Sequence, residues 1–183
     1  MKQSSCRLSL ALVAAAFAGS GMAVPAAAVG PSLDNLLADV EFCRESRSLK
    51  SLRADLNAMF PVRHAEGTIT YRIGANVRRR VDGRVPGRVS SVTAREDTGH
   101  MMFKIGAGGS YRGIPVRSIE LWNGGPHDGF YGFGVEFAAP QRQVEAMFGP
   151  AVSWVQQNRG SYCPAVFAMI ASSRPIIVCR FSD

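Results

Sequence analysis

The sequence predicts an α+β fold: a mostly antiparallel β-sheet with two N-terminal helices and one helix inserted before a C-terminal β-hairpin. Three observations carry that expectation. Between Leu33 and Phe60 the apolar residues recur at helical spacing; from Thr68 they alternate with period two; helical spacing returns only after Pro140. Helices and strands are therefore segregated along the chain rather than interleaved, the order expected when helices pack on an antiparallel sheet. No linker or change of composition divides the chain, and about 155 residues suffice for one core, so residues 29–183 are read as a single domain.

Residues 1–28 are read as a secretory signal peptide. Lys2 and Arg7 supply the positive start, and Leu8 to Ala18 forms an apolar run of about eleven residues, too short for a bilayer span. Ala26-Ala27-Ala28 offers the small residues that signal peptidase requires. The mature chain is expected in the periplasm or outside the cell, without a membrane span.

The elements follow in order. Ser32 is placed to cap a short first helix whose buried face is Leu33, Leu36, Leu37 and Val40. A second helix follows Ser46, with Leu49, Leu52, Leu56 and Met59 or Phe60 inward and Pro61 as its stop. Ile69, Tyr71 and Ile73 alternate with Thr68, Thr70 and Arg72 as a half-buried strand. Asn76 to Val81 reads as a second strand closed by Asp82-Gly83. Val85 to Thr93, Met101 to Ile105 and Ile114 to Trp122 are further strands. Gly106-Ala107-Gly108-Gly109-Ser110 is read as a hairpin loop, because it lacks the Lys-Ser/Thr pair and the following helix of a phosphate loop.

Phe130 to Phe137 is the clearest strand: Tyr131, Phe133, Val135 and Phe137 point one way, Gly132, Gly134 and Glu136 the other. The third helix opens at Pro140, carries Val144, Met147 and Phe148 inward, and is expected to end at Gly149-Pro150. Val152 to Val155 suggests a short strand. Ala165 to Ala171 is apolar throughout, as in a strand covered on both faces, and Ile176 to Phe181 returns antiparallel after Ser172-Ser173-Arg174.

The whole chain carries a formal charge of +7, which falls to +5 when Lys2 and Arg7 leave with the signal. Of the mature basic residues only Lys50 and Lys104 are lysine. Arginine favours bidentate pairing with carboxylates or phosphates. Arg78-Arg79-Arg80, continued by Arg84 and Arg88, is the densest run; on a strand, Arg78 and Arg80 share one face, and Arg78, Arg80 and Arg84 become anion-binding candidates, for example toward an anionic envelope polymer. The plainer reading is a charged edge strand. Export argues against nucleic acid as the partner.

Three cysteines remain in the mature chain: Cys43, Cys163 and Cys179. An oxidising compartment predicts one disulfide and one leftover thiol. Three pairings are open, with Cys43–Cys163 preferred over the terminal-hairpin pair Cys163–Cys179 because it closes the longer loop.

No cofactor or metal motif is found. His64, His100 and His127 do not share an element, so ligand spacing for zinc is lacking. No Gly-x-Ser-x-Gly occurs, and neither Glu41-Phe42-Cys43-Arg44 nor Tyr162-Cys163-Pro164 resembles a thiol-nucleophile setting. The carboxylates Glu96, Asp97, Glu120 and Glu136 are not distinguished by sequence. Trp122, His127 and Asp128 lie in or beside a loop dense in turn formers, and Gly132 and Gly134 leave a flat strip of backbone suited to a packed helix or an incoming partner. The function expected is therefore that of an exported binding protein, an inhibitor or immunity-type protein that blocks a cell-wall hydrolase or a toxin, rather than an enzyme. The +5 charge argues for a neutral or acidic target. The alternatives are an envelope enzyme acting on cell-wall substrates with His100 or His127 as general base, and an anion-binding module built on the arginine cluster.

Overall fold

The computed structural model describes residues 30–63, 67–124, 130–161, 165–171 and 173–182. Residues 1–28, read above as a signal peptide, and His64, His127, Asp128 and Cys163 lie outside these described residues.

Seven strands form one antiparallel sheet: β1 (Thr68–Tyr71), β2 (Arg88–Asp97), β3 (His100–Tyr111), β4 (Ile114–Asn123), β5 (Phe130–Phe137), β6 (Ala165–Ile170) and β7 (Ile176–Ser182). Strands β1 to β5 follow one another as a meander. The C-terminal hairpin then inserts β7 beside β5 and leaves β6 at the edge. Strands β5 and β6 thus run parallel, and the helix α3 (Gln141–Gln157) makes the crossover between them. The α+β class and the strand-rich order are those the sequence predicts.

Helix α1 (Arg47–Met59) starts where expected: the Ser46 hydroxyl oxygen accepts from the Leu49 amide at 3.0 Å, and Leu49, Leu52 and Leu56 are fully buried. The segment before it differs. Leu33, Leu36, Leu37 and Val40 are all buried, but they sit on turns and a 3-10 turn at Val40–Phe42 rather than on a regular helix. Two local features break the helix. The Leu33 amide is committed to Ser110 of β3, and Asp39 and Cys43 adopt left-handed backbone with φ of 62° and 52°.

Three further expectations are corrected. Residues expected as a strand at 76–81 form helix α2 (Ala75–Asp82), and Gly83 closes it with its amide on Arg79 O at 3.0 Å. Val77 and Val81 stand four apart, so a helix buries both along one stripe without burying an arginine, whereas a strand would turn Arg79 inward with them. The glycine stretch 106–110 lies within β3, not in a loop. A side chain at Gly109 would lie 2.6 Å from the Pro31 carbonyl, so its glycine is what allows the N-terminal segment to bridge Ser32 to Ser110. Finally, α3 continues through Gly149-Pro150 and absorbs the residues expected as a strand at 152–155. Pro150 is exposed, and Val152 and Val155 extend the stripe of Val144 and Phe148 into the core; that packing offsets the roughly 3 kcal/mol cost of an internal proline. Met147 points outward, half exposed.

The core lies on one face of the sheet. Tyr111 and Phe137 stack on Phe148 of α3 with centroids 5.7 and 5.1 Å apart, and Phe60 beyond α1 meets Phe103 at 5.9 Å. Cys43 is bonded to Cys179, with Cα atoms 5.4 Å apart, so the staple joins the 3-10 turn to inward-facing β7. The preference for Cys43–Cys163 is thereby corrected: Cys179 points into the core where the chain at Val40 to Cys43 crosses it. This bridge closes an even longer loop, of 136 residues, worth about 5 kcal/mol in the chain-entropy description.

Candidate functional site: the open face of the sheet

Among the described residues, helices α1, α2 and α3 and the N-terminal segment contribute their buried residues to one face of the sheet. The register places three cross-strand rows on the other face. The first runs Thr70, Arg95, Met102, Trp122, Gly132, Arg180, Phe167; the second Thr93, Lys104, Glu120, Gly134, Val178, Met169; the third Ser91, Gly106, Ser118, Glu136, Ile176. Candidates Trp122, Gly132 and Gly134 thus belong to one surface.

Trp122 occupies the strip left by the two glycines. A side chain at Gly134 would lie 2.8 Å from Cη2 of Trp122, and one at Gly132 would lie 3.1 Å from its Cε3. The indole therefore lies flat across β5, held by the missing side chains beneath it. Helix α3, which the sequence offered as the natural occupant of this strip, packs on the opposite face. Trp122 remains half-buried, with Met102 beside it equally so.

Next to the indole is a charge network. Lys104 Nζ donates to Glu120 at 3.0 Å and to Glu136 at 3.1 Å; Arg174 reaches Glu120 at 3.2 Å from the turn before β7; Arg117 and the Ser118 hydroxyl reach Glu136 at 3.4 and 3.0 Å. The two carboxylate side chains are only 5% and 7% exposed, on a face that none of the described helices covers. Burial by itself raises the Glu136 carboxyl pKa, but bonds from Lys104 and Ser118 and the charges of Lys104 and Arg174 outweigh it and hold the group below the usual carboxylate range. Lys104 is affected conversely: burial lowers its pKa, and its two carboxylate partners outweigh that and raise it. Glu136 is held as an anion by four partners, Lys104, Arg117, Ser118 and Arg174, which suits neither a proton donor nor a free nucleophile.

The arginine cluster is dispersed by the change from strand to helix. Arg78 and Arg80 stand about 200° apart around α2. Arg78 donates to the carbonyls of Val89 and Ser90, both at 3.1 Å, while Arg80 and Arg84 share Asp55 of α1 at 3.7 and 3.1 Å. The anion these two hold is one of the protein's own. His100 is exposed at the start of β3, in register with Asp97 across the hairpin.

Two other polar clusters lock the fold. Tyr111 donates to Glu41 at 2.5 Å and Arg112 pairs with the same carboxylate at 2.6 Å; burial first, then the hydrogen bond to Glu41, raises the Tyr111 pKa. Arg53 pairs with Glu45 and lies 4.7 Å over the Tyr131 ring, and burial lowers its pKa to about 10. Among the described residues, no group of three or more His, Cys, Asp or Glu could hold a metal ion.

Sequence reasoning missed Lys104, Arg174, Met102, Arg180 and Phe167 as parts of this surface. One signal existed: Glu136 interrupts a strand that is otherwise aromatic, apolar or glycine, and Glu120 stands between Ile119 and Leu121. The partners of Glu120 are 16 and 54 residues away in sequence and Lys104 is 32 from Glu136, which periodicity does not reach.

Compared with known proteins, the chain matches no family model, no curated protein and no solved structure.

Proposed function

We propose that this is an exported binding protein of the inhibitor or immunity type, which blocks a cell-wall hydrolase or toxin by docking it on the open face of the sheet. The observation that carries the reading is the second face, which no element among the described residues covers and where Trp122 lies flat between Met102 and the network of Lys104, Glu120, Glu136 and Arg174. Half-exposed Trp and Met beside preorganised charges match the anchors and rim of a protein interface. The signal-like residues 1–28 and the Cys43–Cys179 bond support an oxidising compartment outside the cytoplasm. Basic groups exceed acidic ones on this face: Arg95, Lys104, Arg117, Arg174 and Arg180 against Asp97, Glu120 and Glu136. The surface therefore favours a partner with an acidic patch, in keeping with the +5 mature charge.

The test is affinity capture from envelope and secreted extracts, with the disulfide-bonded mature protein and a Trp122→Ala/Met102→Glu variant as paired baits. The reading expects a stoichiometric protein retained by the wild type, lost with the variant, and reduced in its own hydrolytic or toxic activity when the wild type is added. Equal retention by both baits, or none by either, defeats it.

A further inference from the structure

At the β6–β7 end of the sheet, the first row of the open face runs into a cleft of about 590 Å³ lined by Arg159, Val166, Phe167, Arg180 and Phe181, with Gly160 and Ser182 at its margin. Arg159 comes from the 3-10 turn Arg159–Ser161 that follows α3, and Arg180 from β7. Both are exposed, and neither has an ion-pair or hydrogen-bond partner among the described residues. Val166 and Phe181 are nearly buried and turn their side chains toward the core, whereas Phe167, opposite Arg180 in the register and on the same face, is 43% exposed. The free backbone edge beside it is partly closed, because Gln156 and Gln141 of α3 donate to the carbonyls of Ala168 and Ala171. Adding a strand at this edge is thus obstructed, while entry to the cleft is not.

Two guanidinium groups without a partner among the described residues, on one cleft with the exposed Phe167 ring, call for an anion whose charge is attached to an apolar body. An Asp or Glu side chain supplies the charge without that body; a phosphate supplies neither a body nor a use for Phe167. A peptide chain end supplies both, with its carboxylate on the residue that bears the apolar side chain. We infer that this cleft captures the C-terminal carboxylate of a peptide chain ending in an apolar residue, the carboxylate between Arg159 and Arg180 and the last side chain on Phe167. The identity of the ligand as a protein chain end rests on the protein-binding reading above. Charge-assisted bonds to a carboxylate are the strong class of hydrogen bond, and a cleft of this size accommodates a few residues.

The experiment titrates the isotope-labelled, disulfide-bonded mature protein by NMR with four probes: acetyl-Gly-Gly-Phe as the free acid, the same peptide as its amide, acetyl-Gly-Gly-Asp-amide, and decanoate. The free acid is expected to shift the Arg159 and Arg180 side-chain signals and the backbone of residues 166–167 and 180–182. The amide and the Asp peptide should each bind about tenfold more weakly or worse, as the loss of one charge-assisted bond implies. The exposed-site variant Arg159→Gln/Arg180→Gln, which leaves the core untouched, should remove the preference for acid over amide. Equal affinity for acid and amide, shifts located elsewhere, or no binding by any probe overturns the inference. Binding of decanoate with no tripeptide binding overturns the chain-end occupant. Because Trp122 and Met102 lie outside the cleft, Trp122→Ala/Met102→Glu should keep full tripeptide affinity. Failure of partner capture with intact tripeptide binding would then count against the docking face and not against the cleft.

Discussion

Two adjacent rows of the same sheet show opposite solutions to burial. The covered row Ala94, Phe103, Leu121, Phe133, Cys179, Ala168 is apolar from end to end and completely buried. One residue along each strand, the open row Thr93, Lys104, Glu120, Gly134, Val178, Met169 mixes charge, glycine and apolar groups, and yet Glu120 is buried. The first row is closed by helices. The second is closed by its own neighbours: the stems of Lys104, Arg117 and Arg174 and the Trp122 ring cover the carboxylates while their charged heads stay at the surface. The covered face obtains stability from apolar area, whereas the open face holds a fixed geometry with little hydrophobic gain. Under the binding reading proposed above, that rigidity matters more than free energy of folding.

Substitutions separate the two faces, in descending order of effect. On the covered side, replacing both Cys43 and Cys179 by alanine should cost about 4–5 kcal/mol in denaturant unfolding, and Phe103→Ala about 3–5 kcal/mol. A loss below about 1 kcal/mol for either would mean that the covered face does not hold the fold. Gly134→Val strikes the seat of the indole, where even a Cβ meets Trp122 at 2.8 Å. Overpacking of this kind typically costs about 1–3 kcal/mol, and the displaced ring should show as a change in tryptophan fluorescence. If emission and stability both stay unchanged, the ring does not rest on β5.

The charge network should matter less for stability, because the Lys104 and Arg174 side chains are 42% and 43% exposed and solvent screens their pairing. Lys104→Met should cost about 1 kcal/mol or less, with much of any loss recovered in Lys104→Arg. The network also fixes the sign of one pH effect. Since the Glu136 pKa is held below its ordinary value, its pairing stabilises the folded state above the usual carboxylate range and is lost as pH falls through the lowered folded value. Glu136→Gln should therefore flatten the acid limb of stability against pH; an unchanged limb would place the acid sensitivity elsewhere. The smallest effect is expected from Trp122→Ala on folding, within about 1 kcal/mol for a half-buried surface ring, while its effect on partner retention should be among the largest.

Much of the fold was legible from local pattern. Ser46 with Leu49, Leu52 and Leu56 announced α1, and the alternation at 130–137 announced β5 with its two faces correctly sorted. Failures occurred where a local signal was outweighed by distant contacts. Gly106 to Ser110 reads as a loop, but Pro31 and Leu33 fill the space above Gly109. Gly149-Pro150 reads as a stop, but Val152 and Val155 are held in the core. Val77 and Val81 are compatible with either period, and only the packing of α2 beside α1 decides between them. The candidate site follows the same division. Trp122, Gly132 and Gly134 were visible as separate oddities, whereas Lys104, Arg174 and Arg180 became relevant only when the register aligned them.

By itself the sequence determined the element types with strong periodicity, the inward faces of α1, β5 and the Leu33–Val40 segment, and the basic charge balance of the chain. These depend on neighbours within a few positions, where backbone geometry converts spacing directly into a face. The tertiary structure alone decided which cysteine bonds to Cys43, which face of the sheet stays open, and that the tryptophan and the glycines meet. Each of those depends on strand order and register, which are set by the summed burial of the whole sheet and leave no mark at short range in the chain.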